Sequence, residues 1–486
     1  MALASRTDSP LLFWVLVTLV CLSPLPFGSV YAWSWAVIAC AVGVLLAIWS
    51  GRVLIGLQDA PFGLQRTWPV VVPFVLIMLW MSLQASSITL SGWHHPLWDS
   101  ARTALGEEVS GAISLNSYQS LSEMTRVLAY GGVFWLTLQL CRRSARSRQV
   151  ITALAFAGAL YALYGLISFA IGAKSILWFE RPGQGTSLTS TFVSQGTYVA
   201  YAGLALICIT GLILIVISQK ANSIISQMTR EAFSTTAVET RVGHTKPKIL
   251  STEGLRRFMR GLSWSEGGLL LAWVGVVAAS IAAQVQGALA VTFFTIALMI
   301  VIYWLAGLTQ RNRAVYFAAA VVVAIAVAFL TGGEHLENLF ADSTENLERP
   351  LVYDLAIAAI EDAPLLGTGA GTFEEVFRFY RTSEIKGYYA MAHSTYLEQI
   401  LELGLPATIL ILVIFGAIFF ITIRGIAHRR RDVIYPCIGF AATVHIAIHA
   451  VIDFSLQIPA LTVTYAMIAG ATCAQCWSTR RPSDAW

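Results

Sequence analysis

Charge is what this sequence has least of. Only 12% of its 486 residues are Asp, Glu, Lys or Arg, against 57% that are hydrophobic, whereas a soluble domain carries about 25% charged residues. The shortage excludes a water-soluble globule, because one core of this length cannot hide so much apolar surface. A disulfide framework is missing too. The seven cysteines (Cys21, Cys40, Cys141, Cys208, Cys437, Cys473 and Cys476) form an odd, scattered set in or beside apolar runs, which does not make a scaffold. Cys473 and Cys476 form a lone C-x-x-C read as small packing residues. The net charge of +4 is too small to argue for a nucleic-acid partner; its distribution matters more. Internal repeats and low-complexity tracts are also wanting.

Long apolar runs are abundant. Stretches able to cross roughly 30 Å of hydrocarbon occur at 11–28, 31–50, 68–85, 122–141, 149–172, 192–218, 266–284, 287–308, 314–331, 406–425, 433–452 and 454–477. The expectation is an all-α, polytopic membrane protein of about twelve helices. The first run is interrupted by Pro24 and Pro26, and Val30-Tyr31-Ala32 imitates a signal-peptide cleavage site. Arg6 is offset by Asp8, a poor n-region, so the run is read as a retained helix.

Positive charge marks alternate loops. Arg52 and Arg66 follow the second run, and Arg142, Arg143, Arg146 and Arg148 the fourth. A basic stretch at 219–263 follows the sixth, Arg311 and Arg313 the eighth, Arg429 to Arg431 the tenth, and Arg480 and Arg481 the twelfth. The positive-inside rule makes these loops and both termini cytoplasmic. Loops 86–121 and 332–392 then face outward. The chain divides into nine spans at 1–331, a large outer loop at 332–405, and three spans with a short cytoplasmic tail at 406–486. The 219–263 segment is read as a solvated linker that fixes topology, rather than a site for anionic lipid.

The second outer loop is patterned. Arg349-Pro350 opens a helix, with Pro at its first position, and Leu351, Leu355, Ala358 and Ala359 form an apolar stripe. Asp362-Ala363-Pro364 stops it, and a glycine-rich turn follows at Gly367, Gly369 and Gly371. Phe373, Phe377 and Tyr380 recur at helical spacing beside Arg378 and Arg381. Thr395 and Glu398 fit a T-x-x-E capping box; that helix ends at Gly404, and Pro406 starts the tenth span. His393 is thereby placed just before a helix, where water meets lipid.

The segment from Arg349 to Pro406 resembles the signature region of the O-antigen ligase and polymerase family. The matching stretches are RPLVYDLAIAAIEDAPLLGTGAGTF and AHSTYLEQILELGLPA, and the block from His449 to Pro459 resembles a further family element. A third resembles Thr189 to Gln195, except that Ser187, Ser190 and Ser194 stand where the family has Arg, Gly and Asn; Arg181 is the nearest charge. The resemblance implies a glycosyltransferase type C-like fold in the bacterial inner membrane. It implies transfer of glycan from an undecaprenyl-diphosphate carrier to an acceptor, either lipid A-core or a carrier-linked repeat, without a cofactor. Protein O-glycosylation also occurs in the family.

Residue chemistry suits that reaction. Guanidinium groups grip phosphate oxygens bidentately and stay charged, which stabilises a diphosphate leaving group as its charge grows. A sugar hydroxyl needs a base, and histidine suits neutral pH. His393 is the candidate base. Arg349 is the first candidate clamp, followed by Arg378, Arg381, Arg181 and Arg126. Each has a plainer rival: His393 as a helix-start hydrogen-bonder, Arg349 as a surface charge, Arg126 as a partner of Glu123. Glu398 reads as the capping partner, with Glu402 on the same face one turn later. His445, His449 and Asp453 share a face at i, i+4, i+8 and read as a polar packing network. The 332–392 loop carries eleven acidic residues against four Lys and Arg, an odd setting for diphosphate, yet no tight carboxylate motif suggests a metal, and His94-His95 is too little for zinc. A transporter or lipid-linked glycan flippase is the rival class. It requires charges within several spans and broken helices paired between halves, and neither pattern stands out.

Overall fold

Within lipid, backbone N–H and C=O groups find no water, so apolar spans satisfy them internally as helices. The computed structural model describes residues 9–173, 175–177, 179–180, 188–235, 263–307, 344–429 and 431–477. These are almost entirely helical: α1 (Pro10–Leu22), α2 (Ala32–Leu54), α3 (Leu64–Ala85), α4 (Leu97–Leu105), α5 (Ser117–Leu140), α6 (Ser144–Ala170), α7 (Gln195–Thr235), α8 (Trp264–Ala282), α9 (Gln286–Ala306), α10 (Thr344–Asp362), α11 (Phe373–Tyr380), α12 (Thr395–His428), α13 (Ile434–Ile452) and α14 (Pro459–Cys473). One antiparallel ladder joins β1 (Ser175–Ile176) to β2 (Phe179–Glu180), with Ser175 opposite Glu180.

Eight of the described helices are long and apolar enough to cross a membrane: α2, α3, α6, the 195–220 part of α7, α8, α9, α12 and α13. The chain is a multi-pass membrane protein. Three other expected spans take different forms. The first is cut to 13 residues where Pro24 and Pro26 follow. The last starts only at Pro459, after a short turn at Ser455–Gln457, and has 15 residues. The fourth, α5, is 24 residues long but begins in polar sequence through Arg126. The ninth expected span, 314–331, and the start of the outer loop lie outside the described residues.

The core is built on the 195–220 part of α7, α13 and α14, whose residues are largely buried. Close approach at their crossings needs small residues. A side chain at Gly203 of α7 would run into the His445 ring, and one at Gly470 of α14 would strike the Phe134 carbonyl of α5. Helices α2, α8 and α12 stand at the rim, and their outward faces carry exposed large apolar side chains such as Val44, Leu271 and Leu412.

The loops gather at two opposite ends. At one, the Leu115 N–H donates to Thr368 O, Asn116 Nδ2 to Glu375 Oε1, and the Ser120 hydroxyl to Ala370 O. These bonds bring together the two loops expected to share the outer side. At the other, Gln475 Nε2 donates to Cys141 O, and the Phe62 and Trp477 rings meet at 5.2 Å.

Three local expectations are corrected. Arg349-Pro350 does not open a helix: α10 already runs from Thr344, and Pro350 sits inside it, where its missing N–H removes one bond without ending the helix. The capping box is displaced, because Ser394 holds the N-cap position with no side-chain cap bond. Finally, the sixth span does not give way to a linker at residue 219; α7 continues to Thr235. The break at Gly404 is as expected, with φ 77° and ψ 164° interrupting α12 two residues before Pro406.

Candidate active site

At the end where the two long loops meet, α10 lies against the start of α12 and α11 packs on both. Their apolar faces form a small core of Val352, Ala356, Phe373, Phe377, Tyr389 and Leu401. The aromatic spacing of α11 supplies it: Phe373 and Phe377 stack at 5.2 Å. This core fixes the chain on either side of His393.

His393 itself has φ +55°, a left-handed conformation costly for a side chain with a Cβ. Two contacts hold it there. Glu398 Oε2 accepts the N–H of Ala392 at 2.8 Å, and the Tyr353 hydroxyl donates to His393 O at 3.1 Å. Glu398 therefore reaches past the N-cap to the residue before the histidine. The imidazole sits edge-on between Tyr389, at 5.8 Å, and Phe454, at 5.0 Å. Its Nδ1 is buried and has no hydrogen-bond partner among the described residues. Burial, and secondly the positive charge of Arg349, push its pKa down to about 4, so the ring is a neutral acceptor at pH 7.

Arg349 acts electrostatically on His393, Asp453 and Tyr353 together, and its Nε is buried without a partner among the described residues. Asp453 turns the chain after α13: its Oδ1 accepts from Phe454 N at 2.9 Å and its Oδ2 from the Ser455 hydroxyl at 2.8 Å. That turn sets the Phe454 ring against the imidazole. The Thr395 hydroxyl donates to Asp453 O at 3.1 Å, tying α12 to α13. Asp453 also lies against Gly196 at the start of α7, where an added Cβ would come within 2.9 Å of Oδ2. The Thr189–Gln195 segment thus ends beside the same carboxylate. His393, Arg349 and Asp453, far apart in sequence, make one cluster.

Other candidates stand elsewhere. Arg378 pairs with Glu374, whose carboxylate also takes the Tyr388 hydroxyl. Arg381 donates to Ile385 O at 2.8 Å and Lys386 O at 3.3 Å, closing its own turn. Arg126 pairs with Glu123 and lies 5.6 Å from the Trp35 ring centroid. Arg181 is outside the described residues. Glu402 Oε1 accepts from Phe373 N at 3.2 Å. His449 is buried with its ring 4.5 Å from that of His445, whose Nε2 meets Ala200 O at 3.0 Å. These two lie one and two turns from Asp453 along α13.

Sequence reasoning missed Tyr353, Tyr389, Phe454 and Glu348. Tyr353 was findable, since it lies four residues after Arg349 on one helix face. Glu348 receives the N–H groups of Lys386 and Gly387 at 3.2 Å; these bonds hold its carboxyl below the usual carboxylate range, and it takes the Tyr389 hydroxyl at 3.2 Å. It buttresses one wall of the imidazole slot.

The glycine turn has an evident packing role. Gly367, Gly369 and Gly371 all have positive φ, and Cβ atoms there would strike the Glu402 carbonyl, Ser114 and Glu123. The turn is wedged between α5 and α12, with Gly369 N donating to Glu402 O at 2.9 Å.

A base beside a guanidinium, backed by aromatic walls, can accept a hydroxyl proton next to an anionic leaving group. Residues 269–412 match the O-antigen ligase family. This stretch is an O-antigen ligase domain. It takes in α10, α11 and the first half of α12, and so includes Arg349, the glycine turn and His393. The resemblance read from the sequence holds, and the chain is an enzyme of the ligase type that transfers glycosyl groups, in the general sense of that family. No curated protein matches the chain.

Proposed function

We propose that the O-antigen ligase domain transfers glycan from undecaprenyl diphosphate to an acceptor sugar hydroxyl on the periplasmic face of the inner membrane. His393 is the general base. The acceptor O–H gives its proton to the free imidazole nitrogen while its oxygen forms a bond to the anomeric carbon. The bond from that carbon to the diphosphate oxygen breaks, and the electron pair leaves on the carrier. Arg349 meets the charge that grows there. Arg378, Arg381, Arg181 and Arg126 are further candidates for binding the glycan and diphosphate, and the acceptor is lipid A-core or a carrier-linked repeat.

The observation that carries this reading is the pairing of an unpartnered, buried His393 Nδ1 with an adjacent Arg349 whose Nε is equally unpartnered. A purely structural His–Arg pair buried in this way would leave both groups unsatisfied at a cost. Complementation of glycan-defective cells with wild type and His393→Ala, followed by gel analysis of lipid-linked intermediates, tests it. Long carrier-linked chains should accumulate if the reaction is a ligation, and single repeats if it is a polymerisation. Full transfer by a normally abundant His393→Ala protein would refute the assigned base.

A further inference from the structure

Helix α11 has two faces with different company. Phe373 and Phe377 join the small core that fixes the chain around His393. The other side, with Glu375, Arg378 and Phe379, borders a cleft of about 530 Å³, within the roughly 300–1,000 Å³ of small-molecule sites. Its far wall comes from the other outer loop, with Trp98 of α4 and Asn116 and Tyr118 at the start of α5. Two of its rings stand open: Tyr118 is 80% exposed and Phe379 64%. Lipid does not cover them, because Tyr118 sits among Asn116, Ser117 and Gln119, and Phe379 follows Glu374, Glu375 and Arg378. Large apolar rings left bare on a water-facing surface mark a binding surface.

The rest of the lining is fixed in advance. Trp98 Nε1 donates to Ser114 O at 3.0 Å, which holds the indole in place. Asn116 Nδ2 donates to Glu375 Oε1 at 3.0 Å, bracing one loop on the other, while Asn116 Oδ1 caps α5 by accepting from Gln119 N at 3.1 Å. Arg378 pairs with Glu374 through one nitrogen, and a guanidinium carries five N–H donors. A sugar ring suits such a lining: its C–H face meets the negative face of an aromatic ring, and its hydroxyls both donate and accept. A lipid chain would leave the carboxylate and guanidinium unused, and a phosphate would meet Glu374 and Glu375 as well as Arg378.

We propose that this cleft binds sugar rings of the donor glycan beyond the one at the reacting bond, an inference that rests on the function proposed above. The thickness of α11, about 10–12 Å, separates it from the imidazole slot, so it serves a neighbouring sugar. Its lining comes only from the outer loops and the first turn of α5, which puts it on the water side. An acceptor anchored in the membrane runs from its reacting hydroxyl back toward lipid, whereas the rest of the transferred chain extends into water. The cleft therefore meets the donor.

The test uses the full-length protein in nanodiscs and the lipid-linked glycans that accumulate in cells lacking it, purified and sorted by number of repeats. Phe379→Ala and Tyr118→Ala should raise donor KM at least about fivefold for chains of several repeats, the size of one lost ring contact. For prenyl diphosphate bearing one sugar the change should be less than twofold, with kcat and acceptor KM equally steady. Phe379→Tyr keeps a ring and should restore donor KM. Carrier-free glycan, released from the same material by mild acid, gives a reading independent of catalysis. Saturation-transfer NMR should detect it on wild type and show binding at least fivefold weaker in both alanine variants. No binding to wild type, unchanged binding or donor KM in both alanine variants, or a rise confined to acceptor KM would overturn the assignment. Glycan bound by a wild-type protein that transfers none would instead leave the cleft standing and remove the transferase reading.

Discussion

Glu398 Oε2 accepts the Ala392 N–H at 2.8 Å, reaching over the first turn of α12 to hold the residue that precedes His393. The bond spans the one position whose backbone is left-handed, so it acts on the orientation of the imidazole rather than on substrate. Glu398→Ala leaves a buried N–H unsatisfied, a loss of about 1–3 kcal/mol, which corresponds to roughly 5- to 150-fold if it falls on kcat. Glu398→Gln keeps an acceptor oxygen and should recover most of the rate. Donor KM should change little in either. A Glu398→Ala enzyme with undiminished kcat would show that the contact is packing alone.

The pH profile follows from the lowered pKa of His393. Burial and Arg349 hold it at about 4, so the neutral, proton-accepting form persists well below the ordinary histidine range. We expect kcat to stay level from pH 7 to about 5 and to fall only as pH approaches 4. Arg349→Gln removes one of the two lowering causes, and the acidic limb of its residual activity should move up toward 6.5. The stability sign is the same: the unfolded ring binds a proton before the folded one does, so this contribution is complete above about pH 6.5 and is lost as pH falls toward 4. An acidic limb at 6.5 in the wild type would contradict the buried, neutral ring.

Charge alone should not replace Arg349. Removing one electrostatic stabiliser of a leaving group typically costs about 10²–10³ in kcat, and we expect that for Arg349→Ala. Lysine restores a cation but not the planar fork, so Arg349→Lys should stay at least tenfold below wild type. Equal rates for lysine and arginine would mean that a point charge suffices and that no bidentate grip exists.

The glycine turn makes a stability prediction. Gly369 has φ +106° with Ser114 against it, so Gly369→Ala combines strain with a clash and should destabilise by more than about 1 kcal/mol. Thermal unfolding in detergent would register this as a lower Tm. Gly416, which has open space around it, serves as the control, and Gly416→Ala should leave Tm unchanged or raised.

Much of this site was readable in residue spacing. The aromatic repeat of α11, the break at Gly404 and the pairing of Arg126 with Glu123 all depend on neighbours within a turn or two, which is the range that periodicity reports. The capping box failed because a left-handed His393 turns the Ala392 N–H toward Glu398, and nothing in the local sequence demands φ +55° of a histidine. Asp453 was seen as one of a polar row on α13; its approach to Gly196 and its hold on Phe454 depend on how α7 and α13 cross. The bounds of individual spans moved where proline or polar turns shortened the helix without shortening the apolar run, as at Pro10–Leu22 and Pro459–Cys473.

The wedged turn at 367–371 has a mechanical consequence. With Gly367 pressed on the α12 backbone and Gly371 on Glu123 of α5, this turn is packed against the bundle at both edges rather than standing free like a flap. For the transfer proposed above, the approach to His393 then runs sideways from the lipid or over the 381–391 rim, which can vary without disturbing the packed turn.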